Sequence, residues 1–387
     1  MRNPFPLTWS RRCTTRGIIF LAADVVVIGG GVIGLTAAHE LLRRGARVSL
    51  LERNCCGKEA SWAGGGILSP LLPWNYPEPV TQLTQLSNRL LPGLIEILRQ
   101  ETGVDPEYQA CGMLVLPNLK NVQSAQYGGA EAWCARNAFS MKKVRVEEIA
   151  PRLIFDEPAD KSALWLSSVA QVRSPRLLQA LKRSVELSGG VIMEHTKVTG
   201  WRLGRGRVES VITDRGEYTG VNYVVAAGAW SHEILGEHAL KLDIHPVRGQ
   251  MLLFKVASGL LRTVVLQNDF YLIPRQDGYI LAGSTMEEVG FDKNITADAR
   301  KALLEKAHKL LPSLTEKTLV SHWAGLRPGS PDNIPVINRH PAIDNLYLNS
   351  GHYRYGVTMA LGSAHLLSNM VMNNPQPFDV TPYQWPA

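Results

Sequence analysis

The sequence predicts an α/β protein of two domains, each assembled from discontinuous segments, and three observations carry that expectation. Residues Asp24 to Arg53 read as strand, glycine turn, helix, strand and acid. A second buried strand ending in small residues, Val224 to Ser231, and a second glycine loop entering a helix, Gly351 to Val371, stand far from it in the chain. Between them lie strand-rich stretches, among them His245 to Val256, Phe270 to Arg275 and Tyr279 to Gly283. A chain that returns this often to the same kind of segment builds its layers from separated pieces.

In the first unit, Val25 to Ile28 is a short apolar run suited to a strand covered on both faces. The following helix presents Ile33, Ala37, Ala38, Leu41 and Leu42 to a sheet, and Gly45 ends it. Gly29 permits the tight turn, Gly31 lets backbone approach a pyrophosphate, and Gly34 lets helix and strand pack closely, so phosphates are expected at the helix N-terminus. Glu52, at the end of the second strand, is placed to accept both ribose hydroxyls of an adenosine. Arg53 beside it leaves a 2′-phosphate open in principle.

Next comes Ser61-Trp62-Ala63-Gly64-Gly65-Gly66, a small-residue run that implies backbone pressed against either a ligand or a packed helix. A proline-rich passage, Pro70 to Pro79, leads into a helix with Leu83, Leu86, Leu90, Leu94 and Leu98 as core, expected to kink at Pro92. Strands are expected at Cys111 to Leu116 and Ser162 to Leu166, with a helix at Val122 to Arg136 interrupted at Gly128-Gly129. Ser174-Pro175 reads as cap and first-turn proline of another helix. Val191 to Val198, Val208 to Thr213 and Glu217 to Ala227 read as strands, and Thr296 to Leu311 as an amphipathic helix. Trp323 to Asp332 reads as a loop holding Arg327, before a strand at Leu346 to Asn349.

Composition sets outer bounds. The 387 residues are 45% hydrophobic and 19% charged, an ordinary globular balance. The net charge of +7 invites a nucleic-acid reading, but Met1 to Ala22 holds Arg2, Arg11, Arg12 and Arg16 with no acid, so much of the excess sits in that segment and no nucleic-acid partner is expected. Its apolar core is too short for a signal sequence despite Ser10-Arg11-Arg12, and residues 1–22 are expected to be a disordered extension. The five cysteines show no metal-ligand spacing, so no metal is expected, and reduced thiols fit a cytoplasmic protein. No apolar run reaches the length of a membrane span.

With these residues in view the chain resembles the FAD-dependent amine and amino-acid oxidases, the family of D-amino-acid oxidase and sarcosine oxidase, from Asp24 to about Met372. The motifs that carry it are Ala60 to Leu68, Tyr271-Leu-Ile-Pro-Arg275, Trp323-Ala-Gly-Leu-Arg327-Pro-Gly and Gly351-His-Tyr-Arg354-Tyr-Gly356. Within the family it is similar to the glycine-oxidising members of thiamine synthesis. The resemblance implies a Rossmann-like FAD-binding domain from 23–75, 165–240 and 321–375, and an antiparallel-sheet substrate domain from 76–164 and 241–320. It implies that Gly29, Gly31, Val32, Ile33 and Gly34 hold the FAD pyrophosphate and that Glu52, with Arg53 next to it, meets the adenosine. Ala60, Ser61, Gly64, Gly65, Gly66 and Ile67 would wrap the flavin, Val198 would meet the adenine by its backbone, and Gly228 would approach the cofactor. His352, Tyr353, Arg354, Tyr355, Gly356, Val357 and Thr358 would lie beside the isoalloxazine. Arg327 would bind the substrate carboxylate, supported by Arg354 and the hydroxyl of Tyr271.

The implied chemistry is oxidative deamination of glycine, other small amines or D-amino acids by hydride transfer to flavin, with oxygen as acceptor, and no protein acid or base is obligatory. FAD is expected to be non-covalent, because no cysteine follows Cys134 to form the thioether of the family's sarcosine oxidases. Two alternatives stay open: a D-amino-acid dehydrogenase passing electrons to a quinone, and the oxidase module of a tRNA-modifying enzyme. Substrate preference and assembly into a homo-oligomer are not legible at this stage.

Overall fold

The computed structural model describes residues 23–117, 125–154 and 162–386. The expectation of a disordered segment at 1–22 lies outside them.

Two sheets organise the chain. The first has the spatial order Val336–Arg339, Leu346–Ser350, Gly220–Val225, Ala23–Ile28, Val48–Leu51, Val191–Met193. Its pairs are parallel except at Val336–Arg339, which runs antiparallel at the edge. Its central strand is apolar throughout because both faces are covered. Val25 and Val27 join a core with the helices Val32–Arg43, Glu78–Thr102, Ser174–Leu187 and Gly356–Val371. Val26 and Ile28 face the other way, toward Val208, Val211 and Tyr218 of a small three-stranded sheet. Each such buried Val or Leu contributes about 1.5–3 kcal/mol.

The second sheet runs Leu319–Gly329, His245–Lys255, Tyr279–Gly283, Phe270–Pro274, Val264–Gln267, Met113–Leu116, Ser162–Leu166, Lys142–Arg145. It is antiparallel apart from one parallel pair, Val264–Gln267 with Met113–Leu116. Period-two alternation divides its side chains. Leu252, Phe254, Leu272 and Ile280 pack with Leu303, Ala307 and Leu310 of the helix Ala297–Leu310, while Met251, Tyr271, Ile273 and Leu281 form a separate cluster on the opposite face. That opposite face meets the first unit: a Cβ on Gly65 would come within 2.4 Å of Ile273, and one on Gly325 within 2.5 Å of Ala63. Ala63 and Gly65 are therefore small because two layers converge on them, while Gly66, at φ 76, is confined by Val172 O.

Several expectations need correction. Trp323 to Asp332 is not a loop: Leu319–Gly329 is an edge strand paired with His245–Lys255, and Pro328 is tolerated because an edge strand can forgo a donor. The division expected at 320/321 falls inside that strand. Val191 to Val198 is not one strand but the short strand Val191–Met193 and the first residue of another, Val198–Gly204, with His195 at φ 55 between them. Glu217 to Ala227 likewise divides into Gly216–Tyr218 and Gly220–Val225. The helix Ala125–Arg136 runs through positions 128–129 without a break. Ser174 is not a cap, since its hydroxyl donates to Gly64 O at 3.0 Å, tying that helix to the glycine run. The leucine stripe is core, and its helix continues through Pro92.

Candidate functional site

One cavity of about 500 Å³ runs from the N-terminus of the helix Val32–Arg43 to the inner face of the second sheet. At the helix end, Gly29 has φ 113, and a Cβ on Gly34 would sit 1.9 Å from Gly29 O. Gly34 accordingly does not line the cavity. Its part is the helix–strand contact, whereas Gly29, Gly31, Val32 and Ile33 do line the cavity. Val32 N–H donates to Ser61 Oγ at 2.9 Å, which leaves the Ser61 hydroxyl proton to be offered to an anion at this positive helix end alongside the neighbouring backbone donors.

Glu52 is fixed by two backbone donors, Gly30 N at 2.8 Å and Asn54 N at 2.9 Å, one on each carboxylate oxygen. Every carboxylate oxygen accepts more than one bond, so capacity for a diol remains. Arg53 is committed: its Nη2 donates to Glu59 Oε1 at 2.9 Å and its guanidinium stacks on Trp230. That removes the freedom a 2′-phosphate receptor would need. Val198 and Gly228 line the same end.

The middle of the cavity is bordered by Ala60, Ser61, Gly64, Gly65, Gly66 and Ile67. Arg275 holds this run from behind, donating to Gly65 O at 2.8 Å, Val172 O at 3.0 Å and Gln171 Oε1 at 2.6 Å. Burial, with Arg173 nearby, pushes its pKa down to about 10. The motif containing Arg275 thus contributes a brace as well as Tyr271. Thr358 Oγ1 donates to Ile67 O at 3.0 Å, binding the last helix to the same run.

At the far end the structure brings together Arg327, Arg354 and Tyr271, with His352, Tyr353, Tyr355, Gly356, Val357 and Thr358 beside them. Tyr353, at φ 43, turns the loop so that its N–H reaches Pro328 O at 3.0 Å, next to Arg327 in the chain. Arg327 donates to Ser284 Oγ at 2.8 Å and Thr285 O at 3.2 Å, and among the described residues no carboxylate pairs with it. The Arg354 side chain is 14% exposed, and among the described residues its ion-pair partner is Asp269 at 3.7 Å. Tyr355 donates to the Tyr76 hydroxyl and accepts from Leu71 N at 3.4 Å.

Three buried polar atoms bear on what fills the space. Asn349 is fully buried, lines the cavity, and neither its Oδ1 nor its Nδ2 has a partner. His352 Nε2 sits 2.7 Å from Ser363 Oγ, whose proton goes to Met359 O, so His352 carries its proton on Nε2 and leaves Nδ1 an orphaned acceptor. Burial pushes the His352 pKa down to about 3, which keeps the ring neutral. Orphaned donors and acceptors of this kind fit a ligand with both functions along its length. Asn349, Trp230, Glu59 and Ser284 were missed from sequence. For Asn349 the signal was available, a polar amide following the apolar run Leu346 to Leu348.

A channel with a helix N-terminus and ribose-type acid at one end, mixed polar orphans along it and two arginines at the other is that of a flavin-dependent oxidoreductase. Residues 24–370 match the family described as FAD dependent oxidoreductase, and the chain belongs to that family. It is 43% identical to a glycine oxidase of Pseudomonas aeruginosa, with 94% of this chain and 98% of the relative aligned. A glycine oxidase of Pseudomonas putida is 41% identical over the same shares. Among solved structures, the glycine oxidase of Bacillus cereus superimposes with a TM-score of 0.84 at 30% identity, covering 92% of this chain and 96% of that one. The mixed α/β fold and the FAD cofactor expected from sequence therefore hold. Among the described residues no helix is long and apolar enough to cross a membrane.

Proposed function

We propose that the enzyme oxidatively deaminates glycine, and with it other small amines or D-amino acids, giving the oxo acid, ammonia and hydrogen peroxide with oxygen as acceptor. The observation that carries this reading is the convergence of Arg327, Arg354 and Tyr271 on one end of the cavity, with Arg327 free of any carboxylate partner among the described residues. Two guanidinium groups there call for an anionic substrate group, and a planar fork on a carboxylate fixes orientation as well as position.

Bound FAD supplies the two-electron acceptor for the substrate α-carbon. Gly29, Gly31, Val32 and Ile33, with the Ser61 hydroxyl, would hold its pyrophosphate, and Glu52 its adenosine ribose. Asn349 and His352 Nδ1 would meet its polar edges. Arg327 binds the carboxylate, Arg354 adds charge beside it, and the Tyr271 hydroxyl gives a third contact. These groups orient the α-carbon and the nitrogen toward the middle of the channel. Buried Met251, Tyr271 and Tyr355 keep water from that end. None of the neighbouring histidines is assigned a proton transfer: His352 is neutral, and its one proton is already committed to Ser363.

Retention of FAD without a covalent bond, a cytoplasmic location and service to thiamine biosynthesis are part of the same proposal. A peroxide-coupled assay of the purified holoenzyme against glycine, sarcosine and both alanine enantiomers tests it. Turnover of glycine with stoichiometric peroxide is the expected result. Turnover with a quinone but no peroxide would transfer the protein to the dehydrogenase class.

A further inference from the structure

Arg327 is oriented by groups that are themselves in need of support. Of its two hydrogen-bond partners, Ser284 Oγ and Thr285 O, both belong to residues 284–286, which have neither helix nor strand structure. Its guanidinium also lies over Gly249, where a Cβ would come within 2.1 Å of Nη1, so bulk on the strand beneath cannot be what aims it.

The support comes from Glu287. Its backbone pairs in both directions with Arg248, at 2.9 and 3.0 Å, fastening the segment alongside the strand His245–Lys255. Its carboxylate accepts from the Thr285 hydroxyl, from Arg248 through Nε at 2.9 Å and through Nη2, and from Gln250 Nε2 at 2.9 Å. The Thr285 hydroxyl oxygen in turn accepts from Gln250 N at 2.9 Å. Arg248 is 5% exposed and holds Asp292 with its remaining nitrogen, at 2.7 Å. One carboxylate therefore gathers donors from the strand His245–Lys255 and from the segment bearing the Arg327 partners. Two Arg248 nitrogens close on one Glu287 oxygen while Thr285 and Gln250 hold the other, so charge-assisted bonds fix both ends of the carboxylate. Glu287, Thr285 and Arg248 do not line the cavity, so this network acts on substrate only through Arg327.

We infer that Glu287 is a positioning residue for the substrate carboxylate: through Thr285 it presets the carbonyl and hydroxyl that aim the Arg327 guanidinium. This rests on the reading of Arg327 given above. An arginine that must find its orientation on each binding event loses the advantage of a fixed fork, and misplacement of about 1 Å costs up to about a hundredfold.

The test compares holoenzyme carrying Glu287→Gln, Thr285→Val, Thr285→Ser or Arg327→Ala with wild type. Steady-state glycine kinetics, acetate binding followed by flavin absorbance, and flavin content are measured. Thr285→Val breaks the hydroxyl link without uncovering a buried charge, so it decides the matter should Glu287→Gln not fold. The expected result is a ten- to hundredfold rise in glycine KM and a parallel weakening of acetate in Glu287→Gln and Thr285→Val, with flavin content and kcat little changed and recovery in Thr285→Ser. Wild-type acetate binding in both variants, alongside lost binding in Arg327→Ala, would overturn this inference alone. Unchanged acetate binding in Arg327→Ala would remove the reading beneath it and the inference with it. A fall in kcat and flavin content equal to the rise in KM would mark general damage and would also overturn it.

Discussion

The guanidinium carbon of Arg53 lies 3.7 Å from the centroid of the Trp230 ring. Trp230 also packs against Phe291, ring centroids 5.5 Å apart, and Glu59 is shared between Arg53 and Lys293, whose Nζ lies 3.0 Å from Oε2. Arg53, Glu59 and Trp230 line the cavity, whereas Phe291 and Lys293 follow a strand of the second sheet and hold those three from outside. Trp230→Ala should release FAD faster and weaken its binding about two- to thirtyfold, the range for a cation–π contact of about 0.5–2 kcal/mol. Flavin fluorescence regained on dilution reads the release, and an unchanged rate would show that the stack bears no part of cofactor retention.

Glu52→Lys should yield protein without flavin. The substitution puts a cation where ribose hydroxyls need an acceptor, and it also removes the acceptor for Gly30 N, which shapes the glycine turn. The ratio of flavin to protein absorbance checks it, and wild-type occupancy would contradict the assignment. In the parent protein the flavin should come free on acid precipitation, and yellow colour left in the pellet would refute non-covalent binding.

Arg327→Ala should raise KM and lower kcat/KM for glycine on the order of a hundred- to a few thousandfold while FAD stays bound, because a desolvated carboxylate losing its partner costs about 3–5 kcal/mol. Ethylamine, which has no carboxylate, should lose far less. Arg327→Lys should recover only part of the loss, since an ammonium keeps the attraction but not the fork held by Ser284 and Thr285. Equal losses on both amines would remove Arg327 from the carboxylate site.

His352 should make the fold acid-sensitive. Its pKa is about 3 in the folded state against an ordinary value of 6.5, so below pH 6.5 the unfolded chain binds a proton that the folded chain refuses. The stability from keeping this ring neutral is complete above pH 6.5 and drains away as pH falls toward 3. His352→Asn should flatten the slope of stability against pH over that window by up to one proton. Urea midpoints at several pH values measure it, and parallel curves for the two proteins would refute it.

Much of the first unit was legible in the chain itself. A strand covered on both faces must be apolar at every position, as Val25 to Ile28 is, and a turn at φ 113 must be glycine, as Gly29 is. Arg327 was found by its motif yet placed on a loop, because proline and glycine beside it imitate turn chemistry. Only the pairing with His245–Lys255 reveals an edge strand that can accept Pro328. Arg53 could not be read from its neighbours in sequence, since its partners Glu59 and Trp230 reach it through the fold.

The sequence alone determined the dinucleotide unit, the family and the identities of the arginines, since turns, buried strands and helix starts each impose local demands that a few adjacent residues must satisfy. Tertiary structure decided what those arginines are free to do. Arg53 and Arg275 are spent on Glu59 and on the carbonyls of Gly65 and Val172, while Arg327 meets the uncharged acceptors Ser284 Oγ and Thr285 O and, among the described residues, no carboxylate. A guanidinium carries its charge in every environment, so its chemistry depends on which acceptors surround it. Those acceptors come from segments that meet only when the two sheets close on the cavity.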